Sequence, residues 1–197
     1  MTTKKSHTEK LEQIKAEILS KNVCPDLAQT ATQLVMGHGN PNAKIVFIGE
    51  APGKQEDKTG IPFVGAAGKL LDAMLDANNL NRDDVYITNI VKYRPPNNRD
   101  PLPEEKKAFW PYLLRELAVL QPVIIATLGR HSMEYFLPSR KISDIHGEPK
   151  RITLGDQKVI ILPLFHPAAA LYNGGLRDTL FEDFSAVPIL LNQSKNN

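Results

Sequence analysis

The sequence predicts a single α/β domain with three layers, α/β/α, around a mostly parallel central sheet. Short apolar, β-branched runs recur along the chain and are bounded by glycine or proline, which is typical of buried parallel strands. Segments with helical apolar spacing alternate with these runs, and this alternation indicates a sheet covered by helices. The length of 197 residues fits one domain with a substantial core.

The N-terminal part, residues 1–38, is expected to form a helix at His7–Ser20, a connection at 22–31 and a short edge strand at 33–36. The α/β domain proper is expected to span residues 39–197. Its four core strands are predicted at 44–48, 85–91, 123–128 and 158–164, and the last strand forms a hairpin with 149–153.

Helices are predicted after the first core strand, where Ala67, Leu70, Leu71, Met74 and Leu75 recur at helical spacing. Further helices are predicted at Pro103–Leu120, at 130–136 and at 177–191. Pro111 is expected to kink or divide the first of these, and Pro188 to bend or end the last.

Composition excludes few classes of function. The 24 basic and 22 acidic residues give a net charge of +2, which neither requires nor excludes nucleic acid. No apolar run approaches the roughly 20 residues that span a bilayer, and the N-terminus lacks the apolar core of a secretory signal. We therefore expect a cytoplasmic protein with no membrane partner. A monomer is expected as well. A single cysteine, Cys24, excludes an intrachain disulfide and a multi-cysteine metal site, and no metal site is predicted.

Residues 45–71 carry the first motif. A buried strand ends at Gly49, and Glu50 follows it in a loop of sequence GEAPG, where small residues leave backbone N–H groups accessible. Open α/β sheets bind ligands at this edge. The loop is not a P-loop, because Gly49 and Gly53 are too close together and Gln55 replaces the magnesium-binding Ser or Thr.

Three strand ends are expected to converge. Glu50 follows the first core strand, Asn89 ends the second and His166 follows the last, so a parallel sheet places them along one edge. The Asn89 amide can read a ring edge, His166 can donate to a developing anion, and an exposed Phe63 can stack on a flat ligand. Each residue also has an ordinary structural explanation as a loop, cap or core residue, and only their convergence points to a site for a heterocyclic base.

Three blocks together resemble the family 4 uracil-DNA glycosylases: GEAPGKQEDKTGIPFVGAAGKLL, TNIVKYRPPNNRDP and FHPAAAL. The resemblance spans residues 39–191. It implies the glycosylase fold, hydrolysis of the N-glycosidic bond of uracil in DNA, and uracil-containing DNA as partner. Two alternatives stay open: excision of another deaminated base such as hypoxanthine, and a non-catalytic nucleic-acid-binding relative. Asn89 favours uracil, and the retention of Glu50, Asn89 and His166 argues against the non-catalytic alternative.

The resemblance also implies roles for individual residues. Glu50 would orient the attacking water and stabilise the sugar cation, while His166 and the Ala51 amide would stabilise charge on uracil O2. Asn89 would read O4 and N3–H, and Phe63 would stack on the flipped base.

Three further roles concern the pocket wall and the DNA. Glu56 would line the pocket near C5 of the base. The stiff, basic loop 94–101, with Arg94, Asn98 and Arg99, is suited to holding phosphates. Leu171 is a candidate wedge into the duplex. Apart from the resemblance, Lys92 crowds one loop with Arg94 and Arg99, and solvated surface charge is the ordinary interpretation of such a basic cluster.

One departure from the family concerns its cofactor. The family usually holds a four-iron, four-sulfur cluster on four cysteines, but only Cys24 is present. By the resemblance, Lys21, Tyr93 and Phe109 stand at the other three positions. We therefore predict that the cluster is absent, and that the aromatic rings of Tyr93 and Phe109 fill the vacated space.

Overall fold

The computed structural model describes residues 5–195, so residues 1–4 and 196–197 of the predicted segments lie outside it. A six-stranded sheet has the order β1-β3-β2-β4-β6-β5. The strands are β1 His38–Gly39, β2 Ile45–Gly49, β3 Tyr86–Asn89, β4 Ile124–Leu128, β5 Lys150–Leu154 and β6 Gln157–Leu164. The four central strands are parallel and the two edge strands antiparallel, which confirms the predicted fold class.

Ten helices cover the sheet within the described residues. They are α1 His7–Ser20, α2 Pro25–Thr30, α3 Lys54–Thr59, α4 Ala66–Ala77, α5 Pro103–Leu120, α6 Arg130–Met133, α7 Ile142–Ile145, α8 Pro167–Ala170, α9 Gly174–Phe184 and α10 Ala186–Lys195. Between residues 5 and 195, no helix has both the length and the apolar character needed to cross a bilayer.

The side chains of β2 alternate between two hydrophobic cores. Val46 and Ile48 pack with α1 and α5 on one face, while Phe47 faces α4 and α9 on the other. There Phe47 stacks on Phe184 with ring centroids 5.5 Å apart. A strand whose two faces are both buried needs an unbroken apolar run, which explains the sequence of β2.

The structure corrects two predictions near the N-terminus. The predicted connection at 22–31 contains helix α2, which begins with Pro25 at its first position, where the missing N–H leaves no bond unmade. Residues 33–36 are not a strand. Val35 donates a single backbone bond to Lys92 O at 2.8 Å, and the edge strand lies instead at His38–Gly39.

Three helix predictions also change. Helix α5 continues through Pro111, which lies on its exposed face, where water can satisfy the freed carbonyl. The predicted helix at 177–191 is two helices that meet at Ser185. Pro188 lies in the first turn of α10, where proline is tolerated, so the break precedes it. The helix predicted at 130–136 ends at Met133.

Candidate active site

A cavity of about 280 Å³ opens at the carboxyl edge of the parallel strands. All six residues predicted for the pocket line it: Glu50, Ala51, Glu56, Phe63, Asn89 and His166. Asn98 and Arg99 of the basic loop also contribute to its wall. The strand register explains this convergence, because Gly49 at the end of β2 pairs directly with Asn89 at the end of β3.

The Asn89 amide is the most deeply buried polar group of the cavity. The residue is 2% exposed, and within residues 5–195 its Oδ1 has no hydrogen-bond partner. Gly49 makes room for it: a Cβ there would lie 2.6 Å from the Phe63 ring and closer still to Asn89 Oδ1. A buried, unpaired acceptor costs about 1–3 kcal/mol, and a donor on a molecule bound in the cavity would remove this cost.

His166 presents a hydrogen-bond donor to the same cavity. Its Nδ1 accepts the Ala168 N–H at 3.1 Å, so in the neutral ring the proton must lie on Nε2. Burial lowers the pKa of His166 to about 4, and the neighbouring His131 contributes to the shift. The imidazole is therefore neutral at physiological pH and offers Nε2–H. Its ring lies 5.8 Å from that of Phe63.

Glu50 lies in a half-buried position at the mouth of the cavity. Desolvation raises the pKa of its carboxyl to about 7, and the charge of Asp100 adds to the shift while Lys106 and Arg130 oppose it. Its Oε1 is buried and makes no hydrogen bond within the described residues. A carboxylate with a pKa near neutrality can hold or accept a proton during a reaction.

The Phe63 turn is held in a strained backbone conformation. Phe63 has φ 54°, in the left-handed region that bulky residues rarely adopt. Arg82 Nη2 donates to the carbonyls of both Pro62 and Phe63 at 2.9 Å. Gly68 allows the Phe63 carbonyl to approach, since a Cβ there would overlap it. The Phe63 ring is 5% exposed, so the prediction of an exposed aromatic is wrong, although the ring still lines the cavity.

Glu56 fixes the other side of this turn. Its Oε1 accepts the Val64 and Gly65 N–H groups at 2.9 and 2.8 Å. A Cβ at Gly53 would lie 2.7 Å from Glu56 Oε2, so the GEAPG loop packs closely against this carboxylate. Glu56 therefore lines the cavity and also ties the GEAPG loop to the Phe63 turn.

Lys92 is buried, and the interpretation of Lys92 as a surface charge is wrong. Its side chain and that of Glu116 are both 0% exposed, and they form an ion pair at 2.8 Å. Lys92 Nζ also donates to Thr88 Oγ1 at 2.7 Å and to the Asn89 carbonyl at 2.8 Å. The ion pair thus holds the backbone from which the Asn89 amide projects.

Of the residues predicted to contact DNA, Asn98 and Arg99 line the cavity, whereas Arg94 and Leu171 are not among its lining residues. Arg94 Nε donates to Asn98 Oδ1 at 2.7 Å, which ties the basic loop to itself. Arg99 forms a two-pronged ion pair with Glu105, at 2.5 and 2.9 Å, so its guanidinium is already neutralised. Leu171 is 40% exposed just beyond α8.

Of the four positions that correspond to the family's cluster cysteines, Tyr93 and Phe109 belong to the α1–α5 core and Cys24 packs against it, while Lys21 is exposed and pairs with Glu17. Tyr93 and Phe109 pack edge to face with centroids 5.9 Å apart, and both rings are buried. Cys24 Sγ contacts the Glu105 carbonyl at 3.9 Å, and burial raises its pKa to about 11. A lysine, two aromatic rings and one protonated thiol do not fit a cluster that needs thiolates.

The sequence interpretation missed two polar residues beside Glu50. Asp100 lines the cavity, and His131 Nε2 lies 3.5 Å from Glu50 Oε1. His131 is on α6, immediately after β4. Because β4 is also a parallel strand, its carboxyl end lies at the same edge as those of β2, β3 and β6, which places His131 beside the residues that follow them.

Comparisons with known proteins agree with this geometry. The profile of the Uracil DNA glycosylase superfamily matches residues 36–186. The chain is 48% identical over 183 residues to a type-4 uracil-DNA glycosylase of Sulfurisphaera tokodaii, covering 90% of this chain and 83% of the relative. It is 46% identical over 184 residues to that of Archaeoglobus fulgidus, covering 91% and 92%. It is 48% identical over 159 residues to that of Saccharolobus solfataricus, covering 78% and 74%. A parallel sheet that assembles these residues at one edge, together with this similarity over most of the chain, shows that the protein belongs to the type-4 family of the uracil-DNA glycosylase superfamily.

Proposed function

We propose that this protein is a DNA-repair glycosylase that hydrolyses the N-glycosidic bond of uracil in DNA and leaves an abasic site. The observation that supports this most directly is the buried Asn89 amide with its unpaired Oδ1. Uracil presents a donor, N3–H, beside an acceptor, O4. An amide offers the complementary acceptor and donor in the same plane.

The cavity residues divide the charge of the transition state between them. As the glycosidic bond breaks, its electron pair moves to uracil, and His166 Nε2–H stabilises the anion that develops on O2. The Ala51 N–H is a second donor on this side. On the sugar side, the Glu50 carboxylate faces the developing cation and orients the attacking water. Electrostatics directed oppositely on the two sides of the breaking bond lower the barrier, and none of these residues needs a metal.

The base must leave the duplex to reach this cavity. We assign the loop with Arg94, Asn98 and Arg99 to the phosphates, with Arg99 reaching DNA only if it exchanges its Glu105 partner. Leu171, exposed beyond α8, is assigned as the wedge that fills the vacated stack. Phe63 stacks on the flipped uracil, and Glu56 lines the pocket near C5.

We further propose that the protein works without an iron–sulfur cluster, since the chain supplies only one thiol. The packed rings of Tyr93, which precedes the basic loop, and Phe109 on α5 support the absence of the cluster, because they fill the space between these two elements. A monomeric state and a cytoplasmic location are further predictions from sequence.

Release of free uracil from single- and double-stranded oligonucleotides, measured in a chelator, tests the function. DNA binding is measured in parallel. We expect the wild-type protein to release uracil. In Asn89→Ala the rate of release should fall at least about 100-fold, because the polar edge of the base then has no hydrogen-bond partner in a desolvated pocket. Binding should change little, since phosphate contacts dominate affinity.

The matched control is Asn78→Ala, which removes a part-buried amide that bonds Met74 O at the end of α4, away from the cavity. It should keep wild-type turnover. Release of hypoxanthine but not uracil would support the alternative specificity. DNA binding without release of either base would support the non-catalytic alternative and refute the proposal.

A further inference from the structure

We propose that His131, held by Asp100 and Lys106, is a positioning residue for Glu50. In this arrangement its Nε2–H donates the hydrogen bond that keeps the Glu50 carboxylate ionised and directed at the attacking water. The inference rests on the proposed function, in which Glu50 acts on the sugar side.

The geometry places three groups around one point at the cavity mouth. One ligand atom each of Glu50, Asp100 and His131 lies within 4.8 Å of the other two. His131 Nε2 is 3.2 Å from Asp100 Oδ2 and 3.5 Å from Glu50 Oε1. Glu50 Oε1 is buried and without a hydrogen-bond partner in the described chain. His131 Nε2 is therefore the candidate donor for Glu50 Oε1, at the outer limit of hydrogen-bonding distance.

The surroundings of the ring decide which nitrogen carries the proton. Lys106 Nζ lies 3.2 Å from Nδ1, and an ammonium can only donate, so Nδ1 accepts and Nε2 carries the hydrogen. Arg130 Nε lies 3.1 Å from Nε2 and would favour the opposite tautomer. That tautomer, however, would place Nδ1–H against Lys106 and leave Asp100 and Glu50 facing an acceptor. With Nε2–H, two carboxylates and one ammonium have a partner of the right kind.

Burial keeps the His131 ring neutral, and the charges of Lys106 and Arg130 add to this effect against the opposing charge of Asp100. The charged and titratable groups that face the ring come from every element packed against it: Lys106 on α5, Arg130 and Glu134 on and beside α6, Asp100 before α5, Glu50 after β2 and the neutral His166 after β6. Burial lowers the pKa of His131, the charge of Lys106 lowers it further, and the Asp100 bond opposes the shift. His131 therefore acts on Glu50 as a neutral donor.

This arrangement predicts two opposite shifts in the pH dependence of uracil release. The pKa of Glu50 is about 7, and release needs the ionised carboxylate, so the rate of release should rise with pH through that value. This rise is the acidic limb of the pH–rate profile. Removing the donor in His131→Phe disfavours the ionised form and moves the acidic limb to higher pH. Removing a negative neighbour in Asp100→Asn, which also frees Nε2–H for Glu50, moves it to lower pH.

The experiment is single-turnover uracil release with enzyme in excess, measured across the pH range for wild type and variants. We expect His131→Phe to shift the limb upward by about one pH unit, a roughly tenfold loss at about pH 6 that disappears near pH 9. His131→Gln, whose amide can donate, should return the limb towards wild type. The matched control is His146→Phe, since His146 is likewise a part-buried imidazole bonded to a carboxylate, Asp183, at 2.7 Å.

A loss that is equal at all pH values, or an unmoved limb, would overturn the inference. Should His131→Phe not fold, His131→Leu removes the same donor with a smaller side chain, and its acidic limb must likewise move to higher pH. A wild-type protein that releases no uracil would refute the proposed function instead. In that case the ¹³C chemical shift of the Glu50 carboxyl, assigned with Glu50→Gln, reports whether its pKa rises in His131→Phe, and an unchanged pKa overturns the inference.

Discussion

Replacing Lys92 by methionine should destabilise the protein severely, although sequence alone places this lysine among surface charges. The change leaves the Glu116 carboxylate, which is 0% exposed, without its cation. It also removes the Lys92 ammonium that donates hydrogen bonds to Thr88 Oγ1 and to the Asn89 carbonyl. Breaking one side of a buried ion pair costs about 3–5 kcal/mol. For a chain of this size, about 2–4 °C per kcal/mol, the melting temperature should fall by about 6–20 °C.

The double variant Lys92→Met/Glu116→Leu separates stability from function. With both charges gone, the space is apolar, and the free energy of unfolding should return to within about 2 kcal/mol of wild type. Uracil release should stay about tenfold slow, because the Asn89 backbone has lost its donor in both variants and small misplacements of a binding group are costly.

Urea denaturation of the two single variants, the double variant and wild type measures the coupling in a complete cycle. A Lys92→Met variant that loses less than about 1 kcal/mol would show that the pair is hydrated. It would refute the claim that a dry ion pair supports Asn89. If the rate of uracil release recovers fully in the double variant, the ion pair does not position Asn89 for binding the base.

Two further predictions concern packing. Gly49→Ala should reduce uracil release at least about 100-fold with a folded protein, because the added methyl displaces the Phe63 ring and the Asn89 amide; wild-type rates would contradict this. Replacing Tyr93 and Phe109 together by alanine should cost well over 3 kcal/mol, as each buried aromatic typically contributes about that much. A loss under about 1 kcal/mol would reject their packing role, and stoichiometric iron and acid-labile sulfide in anaerobically purified protein would refute the absence of the cluster.

The sequence predicts most of the site because the site is assembled by topology. Parallel strands end at one edge, so Glu50, Asn89 and His166 can be brought together without knowledge of any side-chain contact. The same rule would have found His131 after β4. The residues after β4 lack the glycine- and proline-rich loop that marks the ends of the other strands, because Gly129 leads directly into the short helix α6.

Buried charge could not be predicted in this way. Lys92 and Glu116 lie 24 positions apart, and a buried lysine is indistinguishable in sequence from an exposed one. Its burial depends on where α5 crosses the sheet, which is a property of tertiary packing. The position of the break between α9 and α10 also depends on context: Pro188 alone predicts a break at or near itself, but in the first turn of α10 it is tolerated.

If Phe63 stacks on the base as proposed, its strained turn has a consequence for how a base is selected. Its left-handed backbone, fixed by Arg82 and by the close approach at Gly68, is unfavourable by about 1–3 kcal/mol, and folding supplies that energy before any ligand arrives. The Phe63 ring is therefore held in a fixed position and does not adapt to the ligand. A base that is too large for the space beside the ring is excluded sterically, before it can form any hydrogen bond in the cavity. Substitutions that relax the strained backbone of this turn should increase the stability of the fold and at the same time reduce the selectivity between bases.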